Sequence, residues 1–174
     1  SVFGVILGTG VGGGIVLDGQ VLTGANAVAG EWGHNPLPWP QANELPGPKC
    51  YCGRTGCIET FLSGPGLVAD HLQHTGQQLS SEEIASHSVG VASLQRHANR
   101  IARALASVIN LIDPEVIVLG GGLSNIESLY REVPKLWHPY IFSDQIVTRL
   151  VRNKHGDSSG VRCAAWLWPA KRSA

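Results

Sequence analysis

The spacing of apolar and polar positions divides the chain into a short series of elements. Val2–Leu7 is short, apolar and partly β-branched, the pattern of a buried strand. Residues 15–17 and 20–22 flank Asp18 and Gly19, a pair that suits the positive φ angles of a two-residue hairpin turn. Residues 35–49 hold five prolines and show no periodicity. That pattern predicts a loop of about 15 residues, unusual in a compact domain unless something ties it down.

Residues 58–73 read as helical with an interruption at Ser63-Gly64-Pro65-Gly66, where a new helix should start. Ser80, followed three residues later by Glu83, is a capping-box signature. Residues 91–112 carry the strongest helical period, with Leu94, Ile101, Leu105, Val108 and Ile112 on one face. Asp113-Pro114 should stop that helix. A second buried strand is predicted at residues 115–119, running into Gly120, Gly121 and Gly122. Residues 124–137 should be helical until Pro134 kinks or ends the run. Residues 146–151 read as a strand. Residues 161–167 read as a short helix after the loop at 156–160. No repeat of about 20–50 residues is visible. This order predicts an α/β fold with a mixed sheet.

At 174 residues, with 43% hydrophobic and 15% charged positions, the chain has the size and composition of one globular domain. Lys+Arg and Asp+Glu are both 13, which removes the electrostatic argument for nucleic acid or an anionic membrane as partner. No apolar run reaches the roughly 18 residues of a membrane span, and no signal peptide is recognisable, so a cytoplasmic location is expected. The chain has no Met and opens directly on an apolar run. It is therefore expected to be a piece of a longer protein.

Gly8, Gly10 and Gly13 satisfy G-x-G-x-x-G, but a dinucleotide fingerprint must lead into a helix, and here a hairpin follows. No Lys-Ser/Thr follows to make a nucleotide P-loop either. What remains is a phosphate-approaching loop with the Thr9 hydroxyl as an extra donor, or else a flexible turn that binds nothing. Gly120 to Gly122 ends a strand, where α/β sheets place ligands, and is equally consistent with a plain connection.

Cys50, Cys52 and Cys57 crowd into eight residues, and His34 lies upstream. Three thiolates and an imidazole complete a closed tetrahedral site of the kind used by structural zinc, the alternative being free buried thiols. A metal would also tie down the Pro-rich loop. Glu31 and Glu59 flank these ligands and could accept hydrogen bonds from sugar hydroxyls, or could be solvated surface. If one nitrogen of His34 binds metal, the other remains to donate to a substrate. Cys163 lies in an apolar stretch and reads as core. His71, His74, His87, His97 and His138 lie at or near predicted helices and read as surface or packing residues.

GTGVGGGIVLDGQ, GEWGH, CYCGRTGCIET, VIVLGGG and HGDSSGVRCAA, in that order, resemble the ROK family of sugar kinases and repressors over nearly the whole chain. EWGHNPLPWP and CYCGRTGCIETFLSG are most similar to the bacterial ATP-dependent fructokinases, with N-acetylglucosamine and N-acetylmannosamine kinases as near relatives. The resemblance implies an actin-like (RNase H-like) ATPase fold of two lobes, with residues 1–174 as the C-terminal lobe and a zinc-pinned loop at about 34–58. It implies Gly8, Thr9, Gly10, Gly12, Gly13 and Gly14 at the β- and γ-phosphates, and Gly120, Gly121 and Gly122 near the adenosine. Zinc would be held by His34, Cys50, Cys52 and Cys57, and the sugar contacted by Glu31, His34 and Glu59. The implied activity is transfer of phosphate from Mg·ATP to a hexose, fructose first, by a protein that is a homodimer at full length. The alternatives are an N-acetylhexosamine kinase and a sugar-responsive repressor. The family's D-x-G-G-T motif and its Asn-Asp pair, which carries the catalytic base, are expected in the absent N-terminal half. The family's usual Gly before Ala-Ala is Cys163 here.

Overall fold

Strand β1 (Val2–Leu7) sits at the centre of a five-stranded sheet in the computed structural model, which describes residues 1–156. It pairs antiparallel with β2 (Val11–Leu17) and parallel with β4 (Val116–Gly120). β3 (Gln20–Val21) extends the antiparallel side and β5 (Arg149–Arg152) the parallel side, giving the order β3-β2-β1-β4-β5. The sheet is mixed, as the apolar pattern predicts. Asp18 and Gly19 adopt φ of 50° and 75°, so the hairpin turn forms where the dipeptide permits it.

The strand period puts Phe3, Val5, Leu7, Val11, Ile15, Ile117 and Leu119 into one buried core. Helix α4 (Val91–Ile112) lays Ala98, Ile101, Ala102 and Leu105 into the same core. It ends where expected, with Asp113 in the left-handed region at φ 48°. The interrupted helix resolves into α1 (Ile58–Leu62) and α2 (Gly64–Thr75), with Ser63 capping α2 by accepting from the Gly66 N–H. The capping box at Ser80 and Glu83 starts α3 (Ser81–Ser86).

Two predicted elements are shifted. The expected helix at 124–137 is a short helical turn at Gly122–Asn125 followed by α5 (Ser128–Leu136). Pro134 lies inside α5, where it has no N–H to give the Tyr130 carbonyl, and the helix ends two residues later at Leu136. The expected strand at 146–151 runs instead from Arg149 to Arg152, starting opposite Val116, where its partner β4 begins. The predicted helix at 161–167 and Cys163 lie outside the described residues. Among the described residues, no helix is long and apolar enough to cross a membrane.

The Pro-rich loop has an anchor that its composition does not reveal. Its short helical turn Ala42–Glu44 buries Glu44 beneath α4. Arg103 Nη2 and Arg100 Nε donate to Glu44 Oε1 at 2.7 and 2.8 Å. Arg103 Nη1 also donates to the Trp39 carbonyl at 2.6 Å. Arg100 Nη1 reaches Asp70 on α2 at 2.8 Å, and Arg96 joins the same carboxylate. Burial works to raise the Glu44 pKa, but hydrogen bonds from Arg103, Arg100 and the Gln41 N–H outweigh it and hold the carboxyl at about 2. A carboxylate removed from this cluster leaves buried cations unpaired. Glu44→Ala should therefore cost about 3–5 kcal/mol, read as a lower urea midpoint. A change under about 1 kcal/mol would show that the cluster does not hold the loop.

His97 on α4 is fully buried, and burial, then the Arg100 charge, depress it from 6.5 to about 4 against weaker opposing effects from Asp70 and Phe61. A base depressed on folding binds fewer protons folded than unfolded between these values. Its contribution is complete above pH 6.5 and is lost as pH falls through 4. Stability should drop by about 3 kcal/mol across this window. His97→Leu should flatten that part of the urea-midpoint profile, and an unchanged slope would contradict the assignment.

Candidate functional site

The site begins with backbone pairing. Glu59 N donates to Gly33 O, Ile58 N to Asn35 O, and Leu37 N to Gly56 O, at 2.8–2.9 Å. This ribbon lies so close to β2 that a Cβ on Gly33 would come within 2.2 Å of the Val11 carbonyl oxygen. A Cβ on Gly30, at φ 88°, would come within 2.7 Å of Gly14 Cα. Trp32 closes the contact from below, edge-on to Phe3 and donating from Nε1 to Gly12 O. Glu31, Gly33 and His34 are thereby held beside the glycine-rich hairpin.

The same ribbon brings His34, Cys50, Cys52 and Cys57 together, with all four ligand atoms within 4.8 Å of one another. His34 Nδ1 lies 3.5 Å from Cys50 Sγ, and Cys52 Sγ lies 3.6 Å from Cys57 Sγ. Metal–sulfur bonds of about 2.3 Å and metal–nitrogen bonds of about 2.0 Å give tetrahedral edges close to these values. The electrostatics also fit a cation. Burial, then Cys52 and Cys50, push the Cys57 thiol up to about 12. The backbone N–H of Arg54 instead pulls Cys52 down. Three thiolates cannot ionise together in so small a space without a positive charge among them. These four residues are a candidate metal centre.

The second nitrogen of His34 does not stand open. Nε2 lies 2.8 Å from Tyr51 Oη, and the two rings meet edge-on at 5.0 Å between centroids. Partial desolvation, then the charges of Glu59, Cys50 and Glu31, raise the Tyr51 pKa. Glu59 is half-buried and accepts from Val11 N at 2.9 Å through Oε2, while Glu31 is exposed. Glu59 thus touches the start of β2, and Tyr51 lies against His34. Tyr51 looks like filler between two ligands, yet that position forces its ring against the metal shell.

The glycines divide into two groups. Gly8, Thr9 and Gly10 make the turn between β1 and β2, and Gly8 O accepts from Gly64 N at 2.8 Å. Gly8, Thr9 and Gly122 line one cavity of about 460 Å³ with Gly64, Pro65 and Ser81. The N-terminus of α2 lies at that cavity, a feature missed although Ser63-Gly64-Pro65 signalled a helix start. A Cβ on Gly10 would meet Glu59 Oε2 at 2.7 Å, so the turn and the sugar candidates share a wall. Gly12, Gly13 and Gly14 are ladder residues of β2, and Gly13 is also required by packing against Gly30 O, Phe3 and Trp32. Gly13, Gly14 and Gly120 border a separate depression of about 260 Å³. Gly121, at φ 79°, turns the chain tightly over the Leu7 backbone.

Stripping the metal should loosen the ribbon while sparing the α4 core, because site formation and local folding are coupled. Hydrogen exchange should rise at least about tenfold across residues 34–58 on chelation or in Cys57→Ser, with α4 unchanged. Equal protection with and without chelator would contradict a metal role.

Known proteins align with these features. The chain is 44% identical over 176 residues to N-acetyl-D-glucosamine kinase of Photobacterium profundum, covering 96% of this chain and 58% of that protein. A ROK family glucokinase from Streptomyces griseus, solved with glucose and AMPPNP, superposes with a TM-score of 0.82 at 25% identity, over 95% of this chain and 59% of that one. ROK hexokinase from Thermus thermophilus gives 0.77 at 29% identity, over 95% and 57%. The chain spans less than two thirds of the length of these relatives. Their shared fold accounts for the mixed sheet and its helices, an actin-like α/β architecture. The ROK family pattern covers residues 1–171, and the chain belongs to the ROK family.

Proposed function

We propose that this chain is the C-terminal lobe of an ATP-dependent hexose kinase. The observation that carries the reading is the shared cavity of Gly8, Thr9, Gly64 and Gly122 beside the N-terminus of α2. Backbone N–H groups at a glycine turn and a helix N-terminus favour phosphate oxygens. Glu59 links this turn to the sugar candidates through its hydrogen bond from Val11 N. Phosphoryl transfer depends chiefly on holding donor and acceptor in line while charge on the phosphoryl oxygens is stabilised. Gly8, Thr9 and Gly10 would hold the phosphates, with Gly12 behind them, and Gly122 would face the nucleoside side. Glu31, His34 and Glu59 would orient the hexose. Mg²⁺ would arrive with ATP. The Asp that takes the hydroxyl proton would come from the N-terminal lobe.

Zinc fits the His34, Cys50, Cys52 and Cys57 donor set, since three thiolates and one imidazole leave no open position for water. It would supply structural cross-linking and fix the tautomer of His34. Fructose is the proposed hexose, on the wording of the motifs around Glu31 and Glu59. N-acetylglucosamine is the second reading, favoured by the 44% identity to a kinase of that name. A repressor role would not require the anchored glycine turn.

On the complete protein with Mg·ATP, kcat/KM should be higher for fructose than for N-acetylglucosamine, with turnover of about 1 per second or more. The isolated chain should be silent. An N-acetylated sugar ahead by about tenfold would move the assignment to the second reading. No turnover on any hexose would refute the kinase.

A further inference from the structure

The buried charges around Glu44 do not sum to zero. Arg96, Arg100 and Arg103 each meet a carboxylate, but only Glu44 and Asp70 serve the three guanidiniums. His74, 3.6 Å from Asp70, adds to the positive excess whenever it is protonated. A buried cation without full compensation is costly, and an anion within reach lowers that cost.

The geometry fixes where such an anion fits. Arg100 is only 6% exposed and lies over the Phe61 ring at 5.2 Å, which sets the direction of its hydrogen-bonding edge. Nε donates to Glu44 and Nη1 to Asp70, each at 2.8 Å, leaving Nη2 without a partner among the described residues. The fully enclosed side-chain polar atoms that lack a partner belong to His71, His97 and Asn153, so Arg100 Nη2 keeps access to open space. On Arg96, Nε and Nη2 serve Asp70 and Ser93, and Nη1 is likewise left over. Two cavities border Arg100. One, of about 350 Å³, is also lined by Asp70, whose charge opposes an anion. The other, of about 240 Å³, is walled by Arg96 and Arg100 with the amides of Gln41, Asn43, Gln95 and Asn99. Asn99 Oδ1 accepts from Arg103 Nε, so its Nδ2 hydrogens remain to donate. Glu44 is the one acid in that wall, and both its oxygens already accept from Arg103.

We propose that this smaller cavity is a second ligand site, taking a phosphate-class oxyanion, either free phosphate or the phosphate end of a phosphomonoester. Arg96 and Arg100 supply the charge, and the amides supply further donors. Two guanidinium edges and several amides outnumber the two oxygens of a carboxylate and suit a tetrahedral anion better. The site shares no lining residue with the cavity at Gly8, Thr9 and Gly122, and it does not depend on the hexose-kinase reading.

The test is calorimetric titration of the complete protein with inorganic phosphate, a hexose 6-phosphate and acetate at fixed ionic strength. Wild type is compared with Arg96→Gln and Gln95→Glu. Gln95 is exposed, so its substitution leaves the core untouched while adding a negative charge to the cavity wall. Phosphate should bind the wild-type protein, and more tightly than acetate. Its Kd should rise about tenfold or more in Arg96→Gln, as for the loss of one charge-assisted hydrogen bond, and at least about threefold in Gln95→Glu. A hexose 6-phosphate that binds more tightly than phosphate, with the same sensitivity to Gln95→Glu, identifies a phosphomonoester as occupant; weaker binding identifies free phosphate. The proposal is overturned if phosphate does not bind, if acetate binds as tightly, or if Gln95→Glu leaves the phosphate Kd unchanged. That last result would place any bound phosphate elsewhere, the glycine turn included. Should Arg96→Gln lower the urea midpoint, Gln95→Glu decides alone.

Discussion

Gly33 passes so close to the Val11 carbonyl that no side chain fits between them, and the rest of the site is built outward from that contact. Because the backbones touch, the ribbon made by residues 30–37 and 56–59 is fixed to the edge of β2 and cannot slide. Trp32 on one side and Glu59 on the other lock the register, one through Gly12 O and the other through Val11 N. His34 follows directly after the contact and is delivered to the three cysteines. The glycine turn, Glu59 and the candidate metal centre are thus brought together around a single close approach.

The Pro-rich loop that leaves this ribbon is held at two ends by different physics. At one end soft donors converge on a point suited to a cation. At the other, Glu44 is buried with Arg100 and Arg103, an arrangement whose desolvation cost is offset only because each charge is paired in good geometry. Neither anchor relies on strand pairing or an apolar helix face within the loop itself. That explains how a 15-residue stretch rich in proline can sit in a domain without a sizeable apolar face of its own.

The parts legible in the sequence were those set by local period or by one residue's conformational limits. Helix α4 was readable to its ends from Leu94, Ile101, Leu105 and Val108, and from the stop at Asp113-Pro114. The hairpin followed from Asp18-Gly19, and the candidate metal cluster from the crowding of Cys50, Cys52 and Cys57, with free buried thiols as the alternative. The Arg–Glu network was hidden because its partners are 56 and 59 residues apart, and nothing in the spacing of Glu44 marks it as buried. The N-terminus of α2 was in view from Ser63-Gly64-Pro65, but its nearness to Gly8 depends on the fold. The division of the glycines, with Gly13 required by packing, depends on which face of β2 meets Gly30 and could not be read from a run of glycines.

The central claim is that His34 and the three cysteines hold one metal ion, which fixes the face His34 presents to the site. X-ray absorption at the zinc edge on protein purified without chelator tests it most directly. The account predicts a four-coordinate shell of three sulfurs at about 2.3 Å and one imidazole nitrogen at about 2.0 Å. A shell of oxygen and nitrogen only, two sulfurs or fewer, or no zinc bound would contradict it.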